Sequence, residues 1–415
     1  MWGLVDLCSM SSAMVRRLPS RVQGLEGDVA PDEARQALEG LRILDLSGGI
    51  AGPLGVQMLA EHGADVLKIE PPSGRSDRST PASRTYNRSR RNVTIDLDCD
   101  EGAALFSELC ASADVVVEAF STATRARFGL GAETLGAAHP HLVICSIPAW
   151  PTGSRFQDLP GWEALVHARS GQQFENTAFR PGPVFLGSAV ASYGAAMLVP
   201  TAIMSALLAR DRTGTGQHVE VSLFQGVLSL TTQIWNWTDE GQFFLAKTVP
   251  PGVHQESIFE CRDGQWIHAA TMNGLTPSRS EASVLGIEEI DPMTLYSLEP
   301  AERATYQATK RAAFLQWDRD ELVAAYRQAN LGAEPIVPPH ERFDHPQLAA
   351  TGSLVEVVDP EIGPTTQMGP YVFLSATPGS VKGPQPSLGA HTDEVLAELG
   401  RSLDQIAALR EKGVV

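Results

Sequence analysis

The segment "LRILDLSGGIAGPLGVQMLAEHGADVLKIEPPSG", residues 41–74, places two short apolar runs on either side of a helical one. "RILDLS" (42–47) reads as a strand. Gly48, Gly49 and Gly52 then turn the chain, Pro53 suits a first helical turn where no N–H is needed, and Gly63 ends the helix. "ADVLKIE" (64–70) supplies a second strand. Alternating strands and helices give a parallel sheet covered by helices, so the fold class is α/β. Glycines that follow a strand and open a helix raise the question of a dinucleotide fingerprint. "GGIAGP" lacks the G-x-G-x-x-G spacing and Glu70 does not restore it, so a nicotinamide cofactor is not expected.

The pattern continues downstream. "NVTIDL" (92–97), "ADVVVEAF" (113–120) and "HLVICSI" (141–147) read as strands, with "DEGAALFSELCAS" as a helix between the first two. The run Tyr193–Ala209 is 17 apolar or neutral residues long with Pro200 inside, which predicts a buried, kinked helix. Beyond it, "DRTGTGQHVEVSL" turns on Gly214 and Gly216 into another strand and leads to a Trp-rich apolar segment. "IFECRDGQWIHAA" predicts a hairpin about Asp263 and Gly264, and "RDELVAAYRQA" a helix. "LVEVVDPEIG" and "GPYVFLS" read as strands, and "HTDEVLAELG" as a helix. At 415 residues the chain exceeds a single core. The divisions are 1–38, an irregular tail; 39–224, the first part of a large domain; 225–335, a small domain; and 336–415, a linker and the rest of the large domain.

A formal net charge of -17 argues against nucleic acid and anionic membranes as partners, because both need a cationic footprint. Five cysteines without a CxxC pair suggest neither zinc nor disulfides and predict a reduced, cytoplasmic chain. His340 and His345 in "HERFDH" are five apart and boxed by prolines, which rules out the helical HExxH geometry, and no metal is expected. One local exception to the acidic balance exists. Arg75, Arg78, Arg84, Arg88, Arg90 and Arg91 stand against the single acid Asp77, as a solvated loop or a phosphate site.

Several phrases in one order resemble the class III CoA-transferases, the family of formyl-CoA transferase, carnitine CoA-transferase and α-methylacyl-CoA racemase. Besides residues 41–74 they are "NRSRRNVTIDLDCDEG", "ADVVVEAF" with "RARFGLG", "HPHLVICSI", "PGWEALVHARSG", "LLARDRTGTGQHVEVSL", "CRDGQWI" and "LGAHTDEVLAELG". The resemblance spans about residues 40–400. It implies a Rossmann-like large domain built from both chain ends, a small α+β domain, and two chains interlocked as a dimer. It also implies coenzyme A or acyl-CoA as substrate, a small carboxylic acid as acceptor, and no tightly bound cofactor. Arg75, Arg90 and Arg91 would then hold phosphates, and Arg127 with Phe120 would hold the nucleotide end. Two positions depart from the family pattern: Ala119 replaces the usual Asn, and Asp98 replaces a Lys.

The family's nucleophile is an Asp four residues before a Gly, and counting back from Gly194 reaches Val190. A valine cannot be acylated. The family's racemases add a His in a "G-H-D" phrase, which here is "GWE" with Trp162, so a two-base racemase is not expected. Glu163 and His167 remain as catalytic candidates, one helical turn apart. Three readings follow: CoA transfer through Glu163, a catalytically silent subunit paired with an active paralogue, and a CoA-ester isomerase or lyase using Glu163 and His167. The plain structural reading makes Glu163 a helix cap and His167 a core histidine.

Overall fold

The computed structural model describes residues 36–175, 182–185, 187–230, 257–270, 279–290, 294 and 297–415. Residues 1–35 of the expected 1–38 tail, the Trp-rich stretch and "VPPGVHQES" up to residue 256 lie outside the described residues.

Strand and helix alternate from Arg42, in the order β1 Arg42–Asp45, α1 Ala51–Glu61, β2 Asp65–Glu70, α2 Pro81–Tyr86, β3 Arg91–Thr94, α3 Asp100–Ala111, β4 Val115–Glu118, α4 Thr122–Arg127 and β5 Val143–Ser146. The chain continues through α5 Glu163–Ser170, α6 Gln172–Glu175, α7 Val190–Thr213, β6 His218–Glu220 and α8 Leu223–Leu230. These strands form a six-stranded sheet in the order β3-β2-β1-β4-β5-β6, with every pair parallel. Ile43 stands opposite Val66 on one side and Val115 on the other.

Near-continuous apolar strands are what a parallel sheet buried on both faces requires. Ile43, Val115 and Val117 pack with Val56, Leu59, Val199 and Ile203 of α1 and α7. Leu44 and Val116 face the other way, against Leu105 and Phe106 of α3 and against Val395, Leu396 and Ile406. Those last residues belong to α13 Thr392–Glu398 and α14 Leu403–Glu411, so the chain's end closes the core that its beginning opened. Full burial of a Val, Leu or Ile side chain contributes about 1.5–3 kcal/mol, and three such residues help dock this return segment.

Between the two parts lie β7 Ile258–Glu260, β8 Trp266–Ala270, α9 Arg279–Leu285, α10 Pro300–Phe314, α11 Arg319–Gln328 and β9 Gly332–Pro335. The three strands form an antiparallel sheet, and the β7–β8 link is the expected hairpin, with Asp263 accepting from the Gln265 N–H. Phe259 and Phe314 stack at 3.9 Å in this second core. After α12 Pro346–Thr351 comes the hairpin of β10 Leu354–Asp359 and β11 Gly363–Met368.

Two expectations change. "GPYVFLS" is not a strand: Asp359 accepts from the N–H groups of Glu361 and Ile362, folding the chain back at once, so 363–368 becomes the partner of β10. Phe373 is left 81% exposed. The Pro200 helix is longer than the apolar run predicts, 24 residues from Val190, and it is buried along one face only. It is long and apolar enough to cross a membrane, yet its inner face, with Ala195, Val199 and Ile203, packs on the sheet as a core helix does.

Candidate active site

Strand order reverses between β1 and β4, and in such sheets ligands bind beyond the carboxyl ends of the strands at that point. Both strands end in a fully buried acid, Asp45 and Glu118. Neither drew notice in the sequence. Asp45 lies 3.1 Å from Lys68 and 2.6 Å from Arg90, and accepts from the Ser47 N–H at 2.8 Å and Oγ at 2.5 Å. Burial pushes its carboxyl upward, but Lys68 and Arg90 outweigh burial and hold it below its ordinary value. Burial likewise pushes the Lys68 ammonium down against the pull of Asp45. Glu118 receives Arg125 at 2.7 Å and the Phe120 N–H at 2.7 Å. These acids shape the two loops that frame the crevice.

The arginine run is where expectation and geometry part. Arg90 has no exposed side chain and donates to Asp45, to Asn87 and to the carbonyls of Pro53 and Tyr86. It is a brace for the β1 loop, and no phosphate reaches it. Arg91 begins β3, the edge strand of the sheet, and bonds Asp65, Glu394 and Glu398 at 3.0, 3.0 and 2.7 Å. It fastens α13 to the sheet. Arg88 is buried against Glu61 at 2.6 Å and Gln367, Arg84 grips Asp359 and Glu361, and Arg78 meets Glu70 and the Pro386 carbonyl. The physical reason is composition: 49 acids against 32 Lys and Arg supply a carboxylate wherever the chain returns. Arg75 lies over the β1–α1 turn, where a Cβ on Gly48 would meet its guanidinium, and Asp77 holds it at 3.1 Å. Together with Arg78 and Arg84 it lines a cavity of about 190 Å³.

Phe120 and Arg127 each touch Phe128, beyond the end of β4. The Phe120 and Phe128 rings stand edge to face at 5.5 Å, and the Arg127 guanidinium lies 4.7 Å from the Phe128 centroid. Arg127 is 61% exposed, and its ion pair with exposed Asp98 at 3.2 Å is of a kind worth about 0–1 kcal/mol.

The acid that position 190 lacks arrives from α5. Glu163 is the first residue of that helix, after Trp162, which is 74% exposed. Its Oε1 accepts from the Ala191 N–H at 2.6 Å and faces His167 Nε2 at 2.9 Å. Its Oε2 accepts from the Ser192 N–H at 3.2 Å and the Ser192 hydroxyl at 2.6 Å. Val190 is the first residue of α7, and the N-cap Ala189 has no side chain able to cap it. Glu163 therefore performs that capping from another helix, satisfying N–H groups that would otherwise be orphaned. Two glycines fix α7 in place: a Cβ on Gly194 would lie 2.3 Å from the Gly226 carbonyl of α8, and one on Gly226 would lie 2.3 Å from the Ala191 carbonyl. His167 is fully buried with the Phe185 ring edge-on at 5.4 Å, and its Nδ1 has no partner among the described residues. The sequence brought Glu163 and His167 together correctly. The role of Ser192 was missed, since nothing local marks a serine in the first turn of α7 as the ligand of a carboxylate 29 residues earlier.

Comparison with known proteins joins the site to a lineage. Relatives include an acyl-CoA transferase of Fusarium pseudograminearum, 29% identical over 91% of this chain and 88% of the relative. A succinate–glutarate CoA-transferase of Agrobacterium fabrum is 30% identical over 87% and 95%. A succinyl-CoA–L-malate CoA-transferase beta subunit of Chloroflexus aurantiacus is 29% identical over 91% and 98%. Among solved structures, a CAIB/BAIF family protein from Brucella suis superposes with a TM-score of 0.73 at 27% identity, covering 88% of this chain and 100% of its own. The model of one family matches residues 38–392, from the turn before β1 into α13, and so takes in both sides of the crevice and the α5–α7 junction: the chain belongs to CoA-transferase family III.

Proposed function

We propose that the protein binds acyl-CoA and transfers CoA between carboxylic acids, with Glu163 as the carboxylate that takes the acyl group. The observation that carries this reading is the position of the Glu163 carboxylate on the first turn of α7, within bonding distance of residues 191 and 192. A carboxylate offers about four lone-pair directions, and here all four face donors. Only one donor, the Ser192 hydroxyl, turns about a single bond, and its rotation frees Oε2 without moving either helix. Oε2 then attacks the thioester carbonyl, the C–S bond breaks, and a mixed anhydride and CoA thiolate result. The thiolate attacks the glutamyl carbonyl, releasing the acid and leaving CoA on Glu163. An acceptor carboxylate attacks this thioester to give a second anhydride, from which CoA takes the new acyl group. The backbone N–H groups of Ala191 and Ser192 steady the glutamyl oxygens throughout.

The nucleotide end of CoA is assigned to Phe120, Phe128 and Arg127, with Arg75 beside the β1 turn. Several relatives carry names that pair succinyl-CoA with small acids, which supports carboxylic acids as the acceptor class. The acid–base isomerase or lyase reading is not carried forward. Glu163 and His167 share one hydrogen bond, which leaves no space for a substrate carbon between them. The silent-subunit reading finds no support among the relatives, which are named as transferases. Pairing of two copies and a cytoplasmic location complete the proposal, the latter in keeping with free Cys99, Cys110, Cys145 and Cys261. Hydroxylamine added during turnover of succinyl-CoA is expected to leave a hydroxamate on Glu163. An unmodified residue, with turnover undiminished in Glu163→Gln, overturns the assignment.

A further inference from the structure

The hydroxyl that Glu163 holds is itself a nucleophile. Ser192 Oγ lies 2.6 Å from Oε2, so its proton already points at a base, and His167 Nε2 fixes the far oxygen of that base at 2.9 Å. The order is hydroxyl, carboxylate, imidazole, with the carboxylate rather than the imidazole in the middle. A second serine in the molecule shows the same short contact: Ser47 Oγ to Asp45 at 2.5 Å. Both of those residues are fully buried and Asp45 is bound by Lys68 and Arg90, so no thioester reaches them. Ser192 is half-buried, on the first turn of the helix that would carry the missing acid.

We propose that Ser192 is an acyl acceptor and that the protein is, in the absence of an acceptor acid, an acyl-CoA hydrolase. This rests on the reading that a CoA thioester sits at the α5–α7 junction. Ser192 Oγ attacks the thioester carbonyl while its proton passes to Glu163 Oε2. The C–S bond breaks, and the departing CoA sulfur takes that proton to become the thiol. Water then attacks the seryl ester, giving its proton to Glu163, the carboxylic acid leaves, and the proton returns to Ser192 Oγ. The balance is acyl-CoA and water to carboxylic acid and CoA thiol, with no other reactant.

The test follows thiol release from acetyl-CoA and succinyl-CoA by the full chain without acceptor acid, with acid-quenched protein analysed by peptide mass. Wild type is expected to release thiol and to carry the acyl mass on the peptide holding Ser192. Ser192→Ala is expected to lower release by about 100-fold, the scale of a lost nucleophile–base pair. Ser192→Cys should retain the acyl group as a thioester, so that a failure of the alanine variant to fold does not decide the outcome. No acyl mass on the peptide holding Ser192, or release unchanged in Ser192→Ala, overturns the inference. Calorimetry with CoA separates the two levels. Heat with CoA and transfer to an added acid, but no acceptor-free release, removes the hydrolase and leaves the transferase. Absence of heat with CoA removes both.

Discussion

The loop of residues 75–91 and the α5–α7 junction invert each other. The loop is dense in cations along the chain, and its folded form has none free of a carboxylate or carbonyl: the run ties the N-terminal loops to residues 359–398. The junction looks empty of acid from Pro183 to Arg210, and its folded form has a carboxylate at the start of α7, supplied by α5. A run of like charges in sequence says little about potential in space when the rest of the chain carries the opposite sign. An N-terminus with no cap of its own, in contrast, draws in an acid from elsewhere, because its amide groups need an acceptor.

That contrast can be broken at either end. The largest effect is expected for Arg90→Met, which leaves Asp45 and its partners rearranged in a dry site: about 3–5 kcal/mol of stability lost, read by denaturant unfolding. Were Arg90 a phosphate ligand instead, CoA affinity would fall and the unfolding midpoint would hold. Glu163→Gln comes next, with CoA transfer reduced by about 100-fold or more and about 1 kcal/mol of stability lost with the cap. A loss of stability alone would make the residue only a cap. Arg127→Glu, which reverses an exposed charge beside the Phe120–Phe128 pair, is expected to weaken CoA binding about tenfold at low salt and less at high salt, by calorimetry. Smallest is Arg91→Gln: under about 1 kcal/mol in stability, with CoA affinity unchanged. A tenfold loss of affinity there would restore the phosphate role that its three carboxylate partners argue against.

Much of the architecture was legible in the chain. Leu44, Val66 and Val116 sit in runs with no room for a solvent face, and Gly48 to Pro53 punctuate strand and helix, so the parallel sheet follows from local pattern. "GPYVFLS" reads as a strand from its composition, whereas the Asx turn at Asp359 makes residues 363–368 the strand that pairs with β10. In the site, the helical spacing of Glu163 and His167 was enough to put them in contact. The buried acids Asp45 and Glu118 gave no signal, since a carboxylate's burial depends on cations and N–H groups that arrive from other strands.

Periodicity and turn chemistry, properties of neighbouring residues, determined the α/β class and the order of the strands and helices along the chain, whereas the expectation of an acid where Val190 stands came from the family resemblance. The closeness of α5 to the first turn of α7, and with it a Glu163 carboxylate shared among Ala191, Ser192 and His167, was decided only in three dimensions. It depends on Gly194 and Gly226 letting α7 and α8 approach to backbone contact, a distance that no local pattern encodes.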